Sequence, residues 1–139
     1  MENIKLFMIP GEPTGKGRPR FTRSGHAYTP EKTASYEQAV RQAYRVEFPD
    51  AEPIPAGVPV AVTIVAGYGI PKSTSKAKAK CMLAGEIRPT KKPDADNVAK
   101  AICDALNGLA YHDDSQITML CVSKHYTENP GCLVRIQSK

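Results

Sequence analysis

Two carboxylates stand one residue apart in the stretch Lys92-Pro93-Asp94-Ala95-Asp96-Asn97-Val98-Ala99-Lys100, and a second acidic pair, Asp113-Asp114, follows a little later. Acids at this spacing, directly ahead of a helical pattern, suit a hard cation, which takes oxygen ligands. From Asn97 onward the apolar residues Val98, Ile102, Ala105, Leu106 and Leu109 recur at helical spacing. The pattern predicts a helix from Asn97 to Leu109, with Asp96 or Asn97 as its cap and Gly108 as its stop signal. Such a helix is about 18–20 Å long. The residues from Ala110 to Asp114, if extended, span roughly 17 Å. The chain can therefore return beside the helix and bring Asp114 near Asp94 and Asp96. Lys100 lies off the apolar stripe, and its ammonium can reach back towards the same helix end. The plainer alternative is that these residues merely cap a helix, worth about 1 kcal/mol, and shape a solvated turn. Crowding favours the cation site, because acids gathered at one helix end repel one another unless a cation sits between them.

Basic residues surround this acidic stretch. Gly15-Lys16-Gly17-Arg18-Pro19-Arg20-Phe21-Thr22-Arg23 is kept out of a helix by its glycines and proline, and Lys16, Arg18 and Arg20 project from it as a clamp for DNA phosphates. The run from Gly11 to Lys16 is not a phosphate-binding P-loop: it is one residue short, and Gly17 stands where that motif needs a hydroxyl. No nucleotide cofactor is therefore expected. Lys72, Lys76, Lys78 and Lys80 lie among alanines in a predicted helix from Ser73 to Ala84, and Arg88, Lys91 and Lys92 lead from it into the acids. A lysine run is often only a solvated face. Here it continues into a carboxylate cluster, which suits a polyanionic substrate held by phosphates while a metal offsets repulsion at the acids.

The elements that must position these residues fit one domain spanning residues 1–139. Ile4 to Ile9 reads as a strand. Thr29-Pro30 opens a helix whose buried face comprises Thr33, Tyr36, Val40, Ala43 and Tyr44. Asp50 to Gly57 is a connection, and Val58 to Tyr68 alternates as a strand. Ile117 to Tyr126 and Cys132 to Ile136 read as strands joined at Asn129-Pro130-Gly131 into an antiparallel hairpin. The expected class is α+β, a small mixed sheet packed with a few helices. Cys81, Cys103, Cys121 and Cys132 are widely separated, which argues against structural zinc and for reduced thiols in a cytoplasmic protein. No run is apolar enough to span a membrane, and no signal peptide is evident. The net charge of +5 favours a polyanionic partner. His112 and His125 are spaced for neither a triad nor a zinc site and read as spectators.

The pattern Lys-Pro-Asp-x-Asp-Asn-x-x-Lys, followed by Cys103-Asp104-Ala105-Leu106-Asn107-Gly108 and then Asp113-Asp114-Ser115-Gln116-Ile117, closely resembles the RusA family of Holliday junction resolvases. The likeness extends to the Gly-Lys-Gly-Arg-Pro-Arg-Phe loop and covers most of the chain in the family's order. It implies a small magnesium-dependent endodeoxyribonuclease, an α+β homodimer acting on four-way DNA junctions in recombination and repair, of a kind often encoded by phages and prophages. Mg²⁺ is the implied cofactor, with Mn²⁺ a candidate substitute. Carried over residue by residue, the resemblance points to Asp94, Asp96 and Asp114 as metal-binding acids and to Lys100 as the catalytic lysine. Asp113 is an additional candidate, although neighbours on an extended chain point to opposite sides. Lys16, Arg18, Arg20, Lys76, Lys78, Lys80, Lys91 and Lys92 are expected to hold DNA. Two other classes compete. A non-cleaving branched-DNA-binding accessory protein would use the same basic surface but gain nothing from the acids. A phosphoryl-transfer enzyme for a small nucleotide would not need so extended a basic surface.

Overall fold

The strand Val60–Gly69 is apolar along most of its length, and a strand of that kind belongs in the middle of a sheet. The computed structural model, which describes residues 3–18, 20–28 and 30–138, places it there. In chain order the elements are β1 (Ile4–Pro10), β2 (Arg20–Phe21), β3 (Ala27–Tyr28), α1 (Glu31–Glu47), β4 (Val60–Gly69), α2 (Lys76–Leu83), α3 (Ala95–Ala105), a 3-10 turn (Asp114–Gln116), β5 (Ile117–Thr127) and β6 (Gly131–Ser138). The main sheet has four strands in the order β1-β6-β4-β5, and β2 and β3 form a separate two-stranded ribbon. This is the α+β architecture, with a mixed sheet, that the sequence predicts.

The connectivity corrects one expectation. β5 and β6 are not a hairpin: β4 lies between them, parallel to β5 and antiparallel to β6. Residues 128–130 therefore carry the chain across the end of β4 to its far side. The apolar content of β4 decides this, since Val60, Val62, Ile64, Ala66 and Tyr68 are all buried and an edge position would waste them. β1 pairs with β6, from Ile4 opposite Gln137 to Pro10 opposite Gly131.

α1 and α3 cover one face of the sheet. α1 buries Thr33, Tyr36, Val40 and Tyr44, as its spacing predicts, with Ala43 half-buried beside them. Thr29, expected at the start of this helix, lies outside the described residues. Phe7 of β1 meets Tyr44 edge to face, with ring centroids 5.4 Å apart. α3 buries Val98, Ile102 and, at its C-cap, Leu106 completely. Each such side chain contributes roughly 1.5–3 kcal/mol, so α3 is a rigid platform. On the opposite face of the sheet, Ile4, Leu6, Met8 and Met119 remain exposed. Among the described residues no helix is long and apolar enough to cross a membrane.

Candidate active site

α3 starts earlier than the apolar pattern suggests. Its first residue is Ala95, and Asp94 is the N-cap in extended conformation (φ −67°, ψ 154°), with no side-chain hydrogen bond to the helix end. The helix also ends at Ala105, short of the predicted Leu109, and Gly108 (φ +75°) serves the turn beyond it. Asp96, Lys100 and Asp104 recur every four residues and form the polar stripe opposite the buried one. Lys100 does not reach back to Asp96. Its ammonium lies 3.6 Å from Asp104 Oδ2, one turn forward.

The chain returns from α3 through a folded turn rather than the extended segment expected for residues 110–114. The Gly108 amide donates to the Tyr111 carbonyl at 2.9 Å, and the buried Tyr111 hydroxyl donates to the Cys103 carbonyl at 2.6 Å. Asp113 then caps the 3-10 turn, its carboxylate accepting from the Ser115 amide at 2.9 Å, while its own amide donates to Gln116 Oε1 at 2.8 Å. Those bonds from Ser115 hold the Asp113 carboxyl below the usual carboxylate range. Gln116 Nε2 donates in turn to the Pro55 and Val58 carbonyls, at 2.7 and 3.0 Å. Asp113 thus has a structural task. Asp114 has its amide fixed by Asn107 Oδ1 at 2.7 Å, and it lines a cavity of about 570 Å³ together with Asp96, Lys100 and Asp104. Ala99, Cys103, Leu120 and Val122 supply the apolar part of that lining.

Electrostatics centre on Asp104. Burial, then hydrogen-bonding contact with the Asp104 carboxyl, raise the Asp114 carboxyl above its ordinary value. Asp104 also receives Lys16, whose Nζ lies 3.3 Å from its Oδ2 and 2.7 Å from Glu37 Oε2. Burial works to lower the Lys16 ammonium's pKa, but these two carboxylates outweigh it and hold it raised. Lys16 is only 19% exposed at its side chain, so it braces the acids rather than standing free as a phosphate clamp.

A larger cleft, about 820 Å³, opens on the other side of the α3 N-terminus. Asp94 lines this cleft and not the first, with Arg18, Lys32 and Lys92 supplying positive charge around it. Its wall is the glycine loop, packed so closely that a Cβ on Gly15 would come within 3.0 Å of Pro93 Cβ. The loop is fastened by Lys16 N to the Asn97 carbonyl at 3.0 Å and by Gly17 N to the buried Thr33 hydroxyl at 2.9 Å. The far wall is tied to the sheet. The Tyr68 hydroxyl, pushed up to about 12 chiefly by burial, donates to the Pro93 carbonyl at 2.6 Å. Lys124 Nζ donates to the Lys91 carbonyl at 2.6 Å and stands 4.9 Å from the Tyr68 ring centroid.

The predicted residues are therefore divided. Asp96, Lys100 and Asp114 share one cavity, and Asp94 lines its neighbour. Lys91 and Lys92 are exposed beside the acids, and Lys76, Lys78 and Lys80 are exposed on α2. Arg18 is exposed on the cleft, while the Arg20 side chain lies outside the described residues. Sequence reasoning missed Asp104, Glu37 and Lys32. The signal for Asp104 was its place four residues beyond Lys100 and eight beyond Asp96 on one helix face. Carboxylate oxygens are the right donors for a hard cation, and two in contact repel until one is bound. Among the described residues, however, no three His, Cys, Asp or Glu side chains converge as a group that could hold a metal. The donor chemistry fits Mg²⁺; a closed three-point site is not formed.

Acids braced by lysines, beside a cation-lined cleft on an α+β scaffold, are the equipment of an enzyme that works on phosphodiesters. A family model described as endodeoxyribonuclease RusA matches residues 10–137. Over 142 aligned residues the chain is 42% identical to the uncharacterized protein YqaN of Bacillus subtilis (strain 168), covering 99% of this chain and 97% of that protein. The chain belongs to the RusA family of endodeoxyribonucleases.

Proposed function

We propose that this protein is a structure-specific endonuclease that resolves four-way DNA junctions by Mg²⁺-dependent phosphodiester hydrolysis, in cytoplasmic DNA recombination and repair. The observation that carries this reading is the contact between Asp104 and Asp114 in a cavity that Asp96 and Lys100 also line. Carboxylates pressed towards phosphate hinder a protein that only binds DNA, and they serve one that recruits a cation to cut it. When bound, Mg²⁺ or Mn²⁺ supplies Lewis-acid activation of phosphate and water. Asp96 and Asp114 would hold it, with Asp94 contributing from the adjoining cleft. Lys100 is 62% exposed and restrained by a single ion pair, so its ammonium can turn to the scissile phosphate and stabilise charge on the departing 3′ oxygen, leaving a 5′-phosphate end. Arg18, Lys32 and Lys92 would position the backbone at the cleft, and Lys76, Lys78, Lys80 and Lys91 the flanking arms. Contacts of this kind read shape rather than base sequence.

Resolution of a junction takes one cut in each of two opposing strands, and the described residues of each copy hold one acidic cavity of this kind. A C2 homodimer is the simplest way to present two. The uncovered sheet face supports it: Leu6, Met8 and Met119 are about half exposed, at 51%, 55% and 57%, an apolar surface suited to a second copy.

The test is incubation with a synthetic four-way junction in Mg²⁺ and then in EDTA. Paired, symmetric nicks in Mg²⁺ and none in EDTA are expected. Binding without cutting in Mg²⁺ would instead make the protein a branched-DNA-binding accessory factor and overturn the proposal.

A further inference from the structure

Phe21 is the most exposed aromatic ring among the described residues, at 71%, and Tyr28 follows at 47%. Both belong to the β2–β3 ribbon, and neither joins the core. A ribbon this short is marginal alone, yet its tip is well made. The Thr22 amide donates to the His26 carbonyl at 2.9 Å and the Gly25 amide to the Thr22 carbonyl at 3.0 Å. The His26 amide donates to the Thr22 hydroxyl at 3.2 Å, and Gly25 takes the left-handed conformation (φ +85°) that closes the turn. Register sets where the rings point. Phe21 is opposite Ala27 and shares its face, so Tyr28, the next residue along, projects from the other face. The ribbon thus carries one exposed ring on each side. Its two ends, at Arg18 and Pro30, both lie on the rim of the cleft that contains Asp94. Arg23 and His26 are exposed beside the rings.

We propose that this ribbon is a wedge that enters a DNA branch point, with Phe21 and Tyr28 each stacking on a nucleobase exposed there, one in each of two adjoining arms. The inference rests on the junction-cutting reading above and adds the device that selects branched over linear DNA. A continuous duplex offers no free base face, because every base is stacked on its neighbours; a branch point does. Aromatic rings stack on any base, which gives selectivity for structure without selectivity for sequence. The surrounding cations match phosphate, and the ribbon's roots share the cleft that Asp94 lines. Nothing in the core requires a phenyl ring at position 21, and leaving it in water forgoes the stabilisation that burial would give.

The experiment compares the protein with its Phe21→Ala/Tyr28→Ala variant in EDTA, by titration against a four-way junction and a linear duplex. Both DNAs carry 2-aminopurine, at the branch point or at the equivalent duplex position. The unaltered protein is expected to quench the probe in the junction only, because an aromatic ring stacked on 2-aminopurine quenches it. In the variant that quenching disappears and junction affinity falls roughly ten- to a hundredfold, while duplex affinity and melting temperature are unchanged. Phe21→Trp, with Tyr28 kept, retains the quenching. A variant that keeps both the quenching and the junction preference overturns the wedge. So does one that becomes monomeric in sedimentation equilibrium, which would put the rings between copies of the chain. If the unaltered protein neither prefers junctions here nor cuts them in Mg²⁺, the functional reading itself fails; if it does both and the variant keeps its junction preference, only the wedge fails.

Discussion

Burial, and then contact with the Asp104 carboxyl, keep the Asp114 proton to higher pH than usual. A carboxyl raised in this way stabilises the fold fully below its ordinary pKa, and that contribution is lost as pH rises through the raised value. At neutral pH the pair therefore weakens the fold. Asp114→Asn keeps the shape and removes the charge. Its melting temperature in EDTA should rise by a few degrees at about pH 7.5 and match the unaltered protein at about pH 4, while cleavage falls by at least about a hundredfold. Calorimetry at the two pH values decides it, and an unchanged or lower melting temperature at the higher pH would refute the argument. Asp94 and Asp96 stood out in the sequence because they crowd the start of a helical pattern, and Asp114 because the chain can return it beside them. Asp104 did not, because it looks like one more polar residue in a helix until Lys16, distant in the chain, is seen to reach it.

At the scale of elements, α1, α3 and β4 were legible because their apolar residues recur with the period of the structure they form. The partner of β5 was not. Asn129-Pro130-Gly131 has the chemistry of a hairpin turn, and turn chemistry is local, whereas strand order depends on which strand has most apolar surface to bury. Gly131 marks the crowded start of β6, between β1 and β4. A Cβ there would lie 2.9 Å from the Ile9 carbonyl oxygen, a backbone atom that cannot swing aside. Gly131→Ala should therefore destabilise the protein by about 1–3 kcal/mol, measured as a lower urea midpoint. A midpoint equal to the unaltered protein's would show that the two strands can part without cost.

For the molecule as a whole, the sheet has one face covered by helices and one bearing exposed apolar side chains. The predicted elements and the family resemblance pointed to the α+β class, but neither showed that β1 turns Leu6 and Met8 outward. Replacing both with lysine should leave the monomer folded, since each is about half exposed, at 51% and 55%. If the proposed dimer forms through this face, the change should abolish it in sedimentation equilibrium and reduce paired cuts to single nicks. A dimer that persists would place the interface elsewhere.

The strand order has a further consequence for how the chain is made. β1 leaves the ribosome first, yet its only sheet partner among the described residues is β6, the last strand to emerge. Until residues 131–138 are free, a nascent chain can form no more of the main sheet than the parallel pairing of β4 with β5, and the backbone groups of β1 wait paired only with water. Parallel pairing is slow to nucleate because the loop it closes is long. The growing chain therefore presents bare strand edges to its neighbours through most of its synthesis. Chaperones that shield extended segments would protect such a chain, so its soluble yield should fall when they are withheld during synthesis.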